Sequence, residues 1–214
     1  MKTRQLISTA RPSATLWMAA GFWLAGIVAV LVGIAVYSNF PSASGHPPDS
    51  WPAQSRISRV EGRPTLMMFV HPRCPCSRAS VGELARLLVQ DWELGRVHVL
   101  FINPPGMTPD WARTDIWQQA TTIPGVAVQL DQDGVEAKRF GVETSGQTLL
   151  YDASGSLLFS GGITISRGHE GDSPGRDALL DLLAQKTPGL LQTPVFGCPL
   201  FAVRCEKGDV ACKP

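Results

Sequence analysis

Residues 15–37 read TLWMAAGFWLAGIVAVLVGIAVY, a run without one charged side chain. As a helix it is long enough to cross the ~30 Å hydrocarbon core of a bilayer. Lys2, Arg4 and Arg11 precede it, and the first acidic residue of the chain is Asp49. Basic flanks stay in the cytoplasm, so residues 1–14 are expected inside and everything after Tyr37 outside. Trp17, Trp23 and Tyr37 suit anchors at the membrane interfaces. The competing reading is a cleaved signal peptide, with Ser42-Ala43-Ser44 as its small-residue site. Signal h-regions run only about 7–15 residues, which favours a retained signal-anchor. Both readings place the rest of the chain outside the cytoplasm, the periplasm in a bacterium, where disulfides persist.

The formal charge of +1 joins a basic N-terminus to a slightly acidic remainder. No basic block and no interleaving of aromatic with basic residues is present, so nucleic acid is not an expected partner. Residues 38–54 are rich in Pro, Ser and Gly and read as a semi-stiff linker.

Beyond the linker the pattern alternates. TLMMFV at residues 65–70 is a short apolar run between Pro64 and Pro72, as for a buried central strand. A helical pattern follows over residues 75–90, with Pro75 at its first position, where a missing N–H costs nothing. VHVLFI at 97–102 reads as a strand, 108–120 as a helix, 126–130 as a strand and 135–140 as a short helix. QTLLY at 147–151 and LLF at 157–159 form a hairpin around the turn at 152–155. Ser173-Pro174 opens a last helix ending near residue 185. This order predicts a three-layer α/β domain over residues 55–187 with helices on both faces of a mixed sheet. Residues 188–214 form an irregular tail. In such folds function gathers at the C-terminal ends of the strands.

Cys74 and Cys76 stand at such a place, in FVHPRCPCSRAS, between the first strand and the first helix. At the N-cap, Cys74 would lie near unpaired backbone N–H groups and the positive end of the helix dipole, both of which favour thiolate. Arg73 and Arg78 add positive charge. Cys74 is therefore the expected nucleophile. Side chains two apart on a helix diverge, whereas those three apart share a face, so Ser77 takes the slot nearest Cys74 and could hydrogen-bond its sulfur. A Cys74–Cys76 disulfide would close a small strained ring, and strained disulfides are oxidising. Two inert buried thiols are the bland alternative. A soft metal such as Cu(I) is another, held by Cys74, Cys76 and His169. Glu170 is a candidate proton carrier. Cys198, Cys205 and Cys212 in the tail suggest a staple, Cys205–Cys212 or Cys198–Cys205. The sharper reading has Cys198 packing on the domain as a resolving thiol for Cys74.

With the strand TLMMFV, the HPRCPC turn and the hairpin QTLLYDASGSLLFSGG in these positions, residues 55–183 resemble the thioredoxin superfamily. Adding the anchor, the segments HPRCPCSR, SGQTLLYD, FSGGITISRGHEGD and TPVFGCPL are similar to RedB-type membrane-tethered thioredoxin-like proteins. The resemblance implies a thioredoxin-like three-layer sandwich after one transmembrane helix. It implies a membrane-anchored extracytoplasmic thiol–disulfide oxidoreductase acting through Cys74, Cys76 and Ser77, without a cofactor, on client thiols or disulfides and with a redox partner. Thioredoxin-fold copper chaperones imply the alternative, a copper-binding or copper-delivery protein. Two departures stand out. Ser77 replaces the second cysteine of C-x-x-C, and Gln147 stands where thioredoxins carry a cis-proline.

Overall fold

The computed structural model describes residues 13–89 and 94–201. The chain divides into two compact units, residues 1–38 and 39–214.

The first unit holds α1 (Ala14–Asn39) apart from its last residue. The helix carries no charged side chain, and its 26 residues span about 39 Å at 1.5 Å per residue. By length and composition it can cross a membrane.

The second unit is built on β1 (Thr65–Val70), β2 (Arg96–Asn103), β3 (Val126–Gln132), β4 (Gln147–Tyr151) and β5 (Leu157–Gly161), with α2 (Cys76–Leu87), α3 (Asp115–Thr121), α4 (Val135–Arg139) and α5 (Pro174–Leu183). The sheet order is β3-β2-β1-β4-β5. β1 pairs parallel with β2, and β2 with β3; β4 runs antiparallel to both β1 and β5. The continuous apolar run of β1 suits its central place, where every residue is buried.

Alternation splits the strands between two cores. Leu66, Met68, Val70, Val99 and Phe101 face Val81 and Leu84 of α2, Ile116 of α3 and Leu179 of α5. Met67, Phe69, Leu100 and Leu149 face Ala137 of α4 with Phe140 and Tyr151. Helices therefore cover both faces, as the element order requires. His98, on β2, is buried and shares a hydrogen bond with the Ser58 carbonyl at 2.9 Å.

Three segments depart from the sequence reading. The helix expected over 108–120 divides into a 3₁₀ turn, Pro109–Trp111, and α3. Thr114 between them is extended, its hydroxyl donating to the Pro72 carbonyl at 2.9 Å. Residues 39–54, expected as a linker, lie along the domain. His46 N–H donates to the Gly141 carbonyl, and Tyr151 Oη to that of Pro48. The Trp51 ring meets Phe140 and Tyr151 edge-on at 5.0 and 5.3 Å. One large aromatic in a Pro-rich stretch supplies the apolar area that a free spacer lacks. Finally, residues 192–200 of the expected irregular tail follow the domain through bridges Ser42↔Val195, Thr144↔Pro199 and Ser160↔Gln192.

Candidate functional site

β1 ends at Val70, and its neighbour on one side is β4. Between the last residue of β1 and the first of α2, the turn 71–75 closes on a backbone bond from Cys74 N–H to the His71 carbonyl at 3.0 Å. The Ser77 N–H then bonds the Cys74 carbonyl, also at 3.0 Å. The helix begins at Cys76 with Pro75 as N-cap, one residue later than expected. Cys74 thus sits just before the cap.

The loop entering β4 faces this turn. Gly146 N–H donates to the Phe69 carbonyl at 2.7 Å, and Gly146 has φ of 88°, a backbone state that glycine adopts freely. The peptide bonds of the described residues are all trans, so Gln147 does not reproduce the cis linkage. Ser145 Oγ accepts from His71 N–H at 2.6 Å and lies 2.6 Å from Ser77 Oγ. One proton arrangement satisfies the chain: Ser145 accepts from His71 N–H and donates to Ser77, which leaves the Ser77 proton for the Cys74 sulfur.

The tail completes the enclosure. The Cys198 N–H donates to Cys74 Sγ at 3.3 Å. The strap holding it is paired to the β4 entry loop, Ser145 N–H to the Cys198 carbonyl at 2.9 Å and Leu200 N–H to that of Glu143 at 2.8 Å. Cys74 is 1% exposed, while Cys76 and Cys198 are half-buried, and all three carry free thiols. Cys205 and Cys212, with the staples proposed for them, lie outside the described residues.

The electrostatics differ sharply among the three sulfurs. The Cys198 thiol, chiefly, pulls Cys74 down to about 4 by hydrogen bonding, against the opposing effect of burial; Ser77 and the Cys198 amide assist. Burial raises Cys76, reinforced by the negative charge of Cys74. Cys198 rises too, mainly because its thiol donates to Cys74. Of the amides expected at the helix start, that of Ser77 contributes, after the larger effects of Cys198 and the Ser77 hydroxyl. Arg73 instead lies over the Trp111 ring at 4.9 Å, and Arg78 is ion-paired with Asp115.

Arg167 was missed. Its guanidinium donates to the Gly197 carbonyl at 2.5 Å and to Ser42 Oγ at 2.7 Å, and it hydrogen-bonds Cys76. Its loop is fastened to α2, where Arg86 bridges Glu83 and Glu170 at 2.6 Å each. Glu170 is thus engaged with Arg86. His169 is exposed, its Nδ1 on the Arg167 carbonyl at 2.8 Å. Among the described residues, no three His, Cys, Asp or Glu side chains are grouped to hold a metal. The set of Cys74, Cys76 and His169 expected for copper is accordingly not assembled. Beside the motif opens a groove of about 450 Å³, lined by His71, Trp111, Pro104, Lys138, Pro199 and Phe201 among others.

No family model and no curated protein matches the sequence. Solved structures do. An uncharacterized conserved protein from Geobacillus kaustophilus aligns with TM-score 0.55 and 18% identity over 78% of this chain and 95% of its own. A hypothetical protein from Sinorhizobium meliloti 1021 gives 0.52 and 19%, over 76% and 96%. A secreted Mycobacterium tuberculosis disulfide oxidoreductase gives 0.42 and 17%, over 58% and 83%. At these identities the likeness concerns the fold. A central strand, parallel to one neighbour, that leads into a helix start and is flanked by an antiparallel hairpin gives the chain a thioredoxin-like fold.

Proposed function

We propose that the chain is a membrane-anchored, extracytoplasmic thiol–disulfide oxidoreductase with Cys74 as its nucleophile. One observation carries the reading: the Cys74 sulfur, at the start of α2, is held as thiolate by the amide and thiol of Cys198 and by Ser77. The thiolate is the attacking form in disulfide exchange. A client sulfur bonds to Cys74 in a mixed disulfide, and a neighbouring thiol, Cys76 in the reading from the motif alone, completes the exchange. Ser77 acts as hydrogen-bond donor to the ionised sulfur. Stabilising the thiolate stabilises the reduced protein, which makes the corresponding disulfide an oxidant. α1 serves as the anchor, with residues 1–14 in the cytoplasm and the domain outside it. The likeness to RedB-type proteins belongs to this proposal.

The test uses the full chain in detergent. Reduced protein is mixed with a peptide disulfide, and the mixed disulfide is trapped by acid and located by mass spectrometry. Capture at Cys74, lost in Cys74→Ser, is the expected result. A protein that forms no adduct at Cys74 would be a binding or interaction domain that keeps only the fold.

A further inference from the structure

The segments FSGG and TPVFGCPL, far apart in sequence, are packed backbone to backbone. A Cβ on Gly161 would overlap Thr193, and one on Gly162 would come within 2.6 Å of the Pro194 carbonyl oxygen. A Cβ on Gly197 would overlap the Ser145 carbonyl oxygen. These glycines permit approaches that no other residue allows. The Thr193 hydroxyl donates to the Gly162 carbonyl at 2.8 Å, and Arg167 holds the carbonyl of Gly197. The strap is therefore seated at several independent points. Its last glycine sets Cys198 against Cys74.

From this seat, and resting on the function proposed above, we infer that the exchangeable disulfide of this protein is Cys74–Cys198 and that Cys76 is not the resolving thiol. Three observations support it. Cys198 comes from a separate segment, so a bond to Cys74 avoids the small ring that Cys74 and Cys76 would close. Its amide already lies 3.3 Å from the Cys74 sulfur. The cause that disfavours its ionisation is also temporary. Cys198 is raised chiefly by the Cys74 thiolate, whereas Cys76 is raised chiefly by burial. Once Cys74 is bonded to a client sulfur its charge is gone. Cys198 then loses the largest cause of its rise, while Cys76 keeps its largest, burial.

The step balances without a further reagent. The Cys74 thiolate attacks one client sulfur; a Cys74–client bond forms, the client S–S bond breaks, and the other client sulfur leaves as thiolate and takes a proton from water. Cys198 loses its proton to solvent base and attacks Cys74 Sγ. The Cys74–Cys198 bond forms, and the client sulfur leaves and is protonated. The client disulfide gains two electrons and becomes a dithiol, while the protein's two thiols become its disulfide. With a client dithiol and the oxidised protein the same steps run backward.

The full chain in detergent is oxidised with excess glutathione disulfide, alkylated, digested and mapped. A peptide joining Cys74 to Cys198 is expected. In Cys198→Ser the Cys74–client adduct should persist roughly a hundredfold longer, the loss expected when a positioned intramolecular group is removed. In Cys76→Ser its lifetime should be unchanged. A Cys74–Cys76 link, or a bond from Cys74 to Cys205 or Cys212, overturns the inference while leaving the proposed function standing. Failure of Cys74 to form any disulfide or adduct overturns both.

Discussion

The backbone N–H of Cys198 donates to the sulfur of Cys74 across 3.3 Å, although 124 positions separate the two residues. Together with the Cys198 thiol, the chief cause, and the Ser77 hydroxyl, this contact favours an enclosed anion at a cysteine near a helix start. It also means that the sulfur's ionisation depends on a strap contributed by the far end of the domain.

Removing the Cys198 thiol while keeping its amide should raise the Cys74 pKa. A hydrogen bond to a charged group contributes about 1.5–3 kcal/mol, which corresponds to roughly one to two pKa units. Cys198→Ala should therefore shift the pH midpoint of Cys74 alkylation upward by that amount. Ser77→Ala should shift it in the same direction by less, because Ser77 is a smaller cause than Cys198.

Ionisation and accessibility are opposed here, since Cys74 is 1% exposed. Alkylation at neutral pH should accordingly be slow for so acidic a thiol, and limited by displacement of the strap. Gly197→Val places side-chain atoms against the Ser145 carbonyl and should dislodge the strap. The expected outcome is faster alkylation of Cys74 at pH 8 together with a higher midpoint, at a stability cost of about 1–3 kcal/mol, as for other overpacked sites.

The depressed pKa links stability to pH. The native sulfur ionises near 4, whereas an unfolded thiol ionises near ~8.5. The stabilisation is fully present above the unfolded value and is lost as pH falls through the folded one. Between them the reduced protein should gain up to about 1.4 kcal/mol per pH unit. Half-buried His71 and buried His98, whose pKa values are lowered chiefly by desolvation, act in the same direction near their own range. The comparison is therefore with Cys74→Ser, whose urea midpoint should rise less steeply between pH 5 and 8.

Residues 39–54 should behave as part of the domain. Trp51→Ala removes a half-buried ring packed on Phe140 and Tyr151. It should lower stability by about 2 kcal/mol, below the cost of a fully buried aromatic. Hydrogen exchange should show protection at the amides of His46 and Trp51, which bond the Gly141 and Gly155 carbonyls.

The elements bearing the site were legible because each had a local cause. β1 shows as a continuous apolar run, α2 as a helical pattern opened by Pro75, and α5 by Ser173, whose hydroxyl accepts from Arg176 N–H at 3.2 Å. The position of Cys74 followed from those two boundaries alone. Of what surrounds it, the Ser77 hydroxyl follows from helix spacing, and Cys198 against the domain is one of two readings of the tail. Ser145 and Arg167 reach the sulfur's neighbours through tertiary contacts that no periodicity encodes. The one trace of the strap's seat was the run of glycines at Gly161 and Gly162, with Gly197 beside Cys198. A close backbone approach leaves such a mark without saying which segment makes it. His169 drew attention as a potential ligand, yet in the same loop it is Arg167 that turns toward the thiols.

The most direct test of the central claim is the ultraviolet absorbance of the thiolate, followed against pH in the reduced full chain and in Cys74→Ser. The account requires one thiolate, absent from the variant, that titrates with a midpoint of about 4. A Cys74-dependent midpoint near the ordinary thiol value of ~8.5 would contradict it.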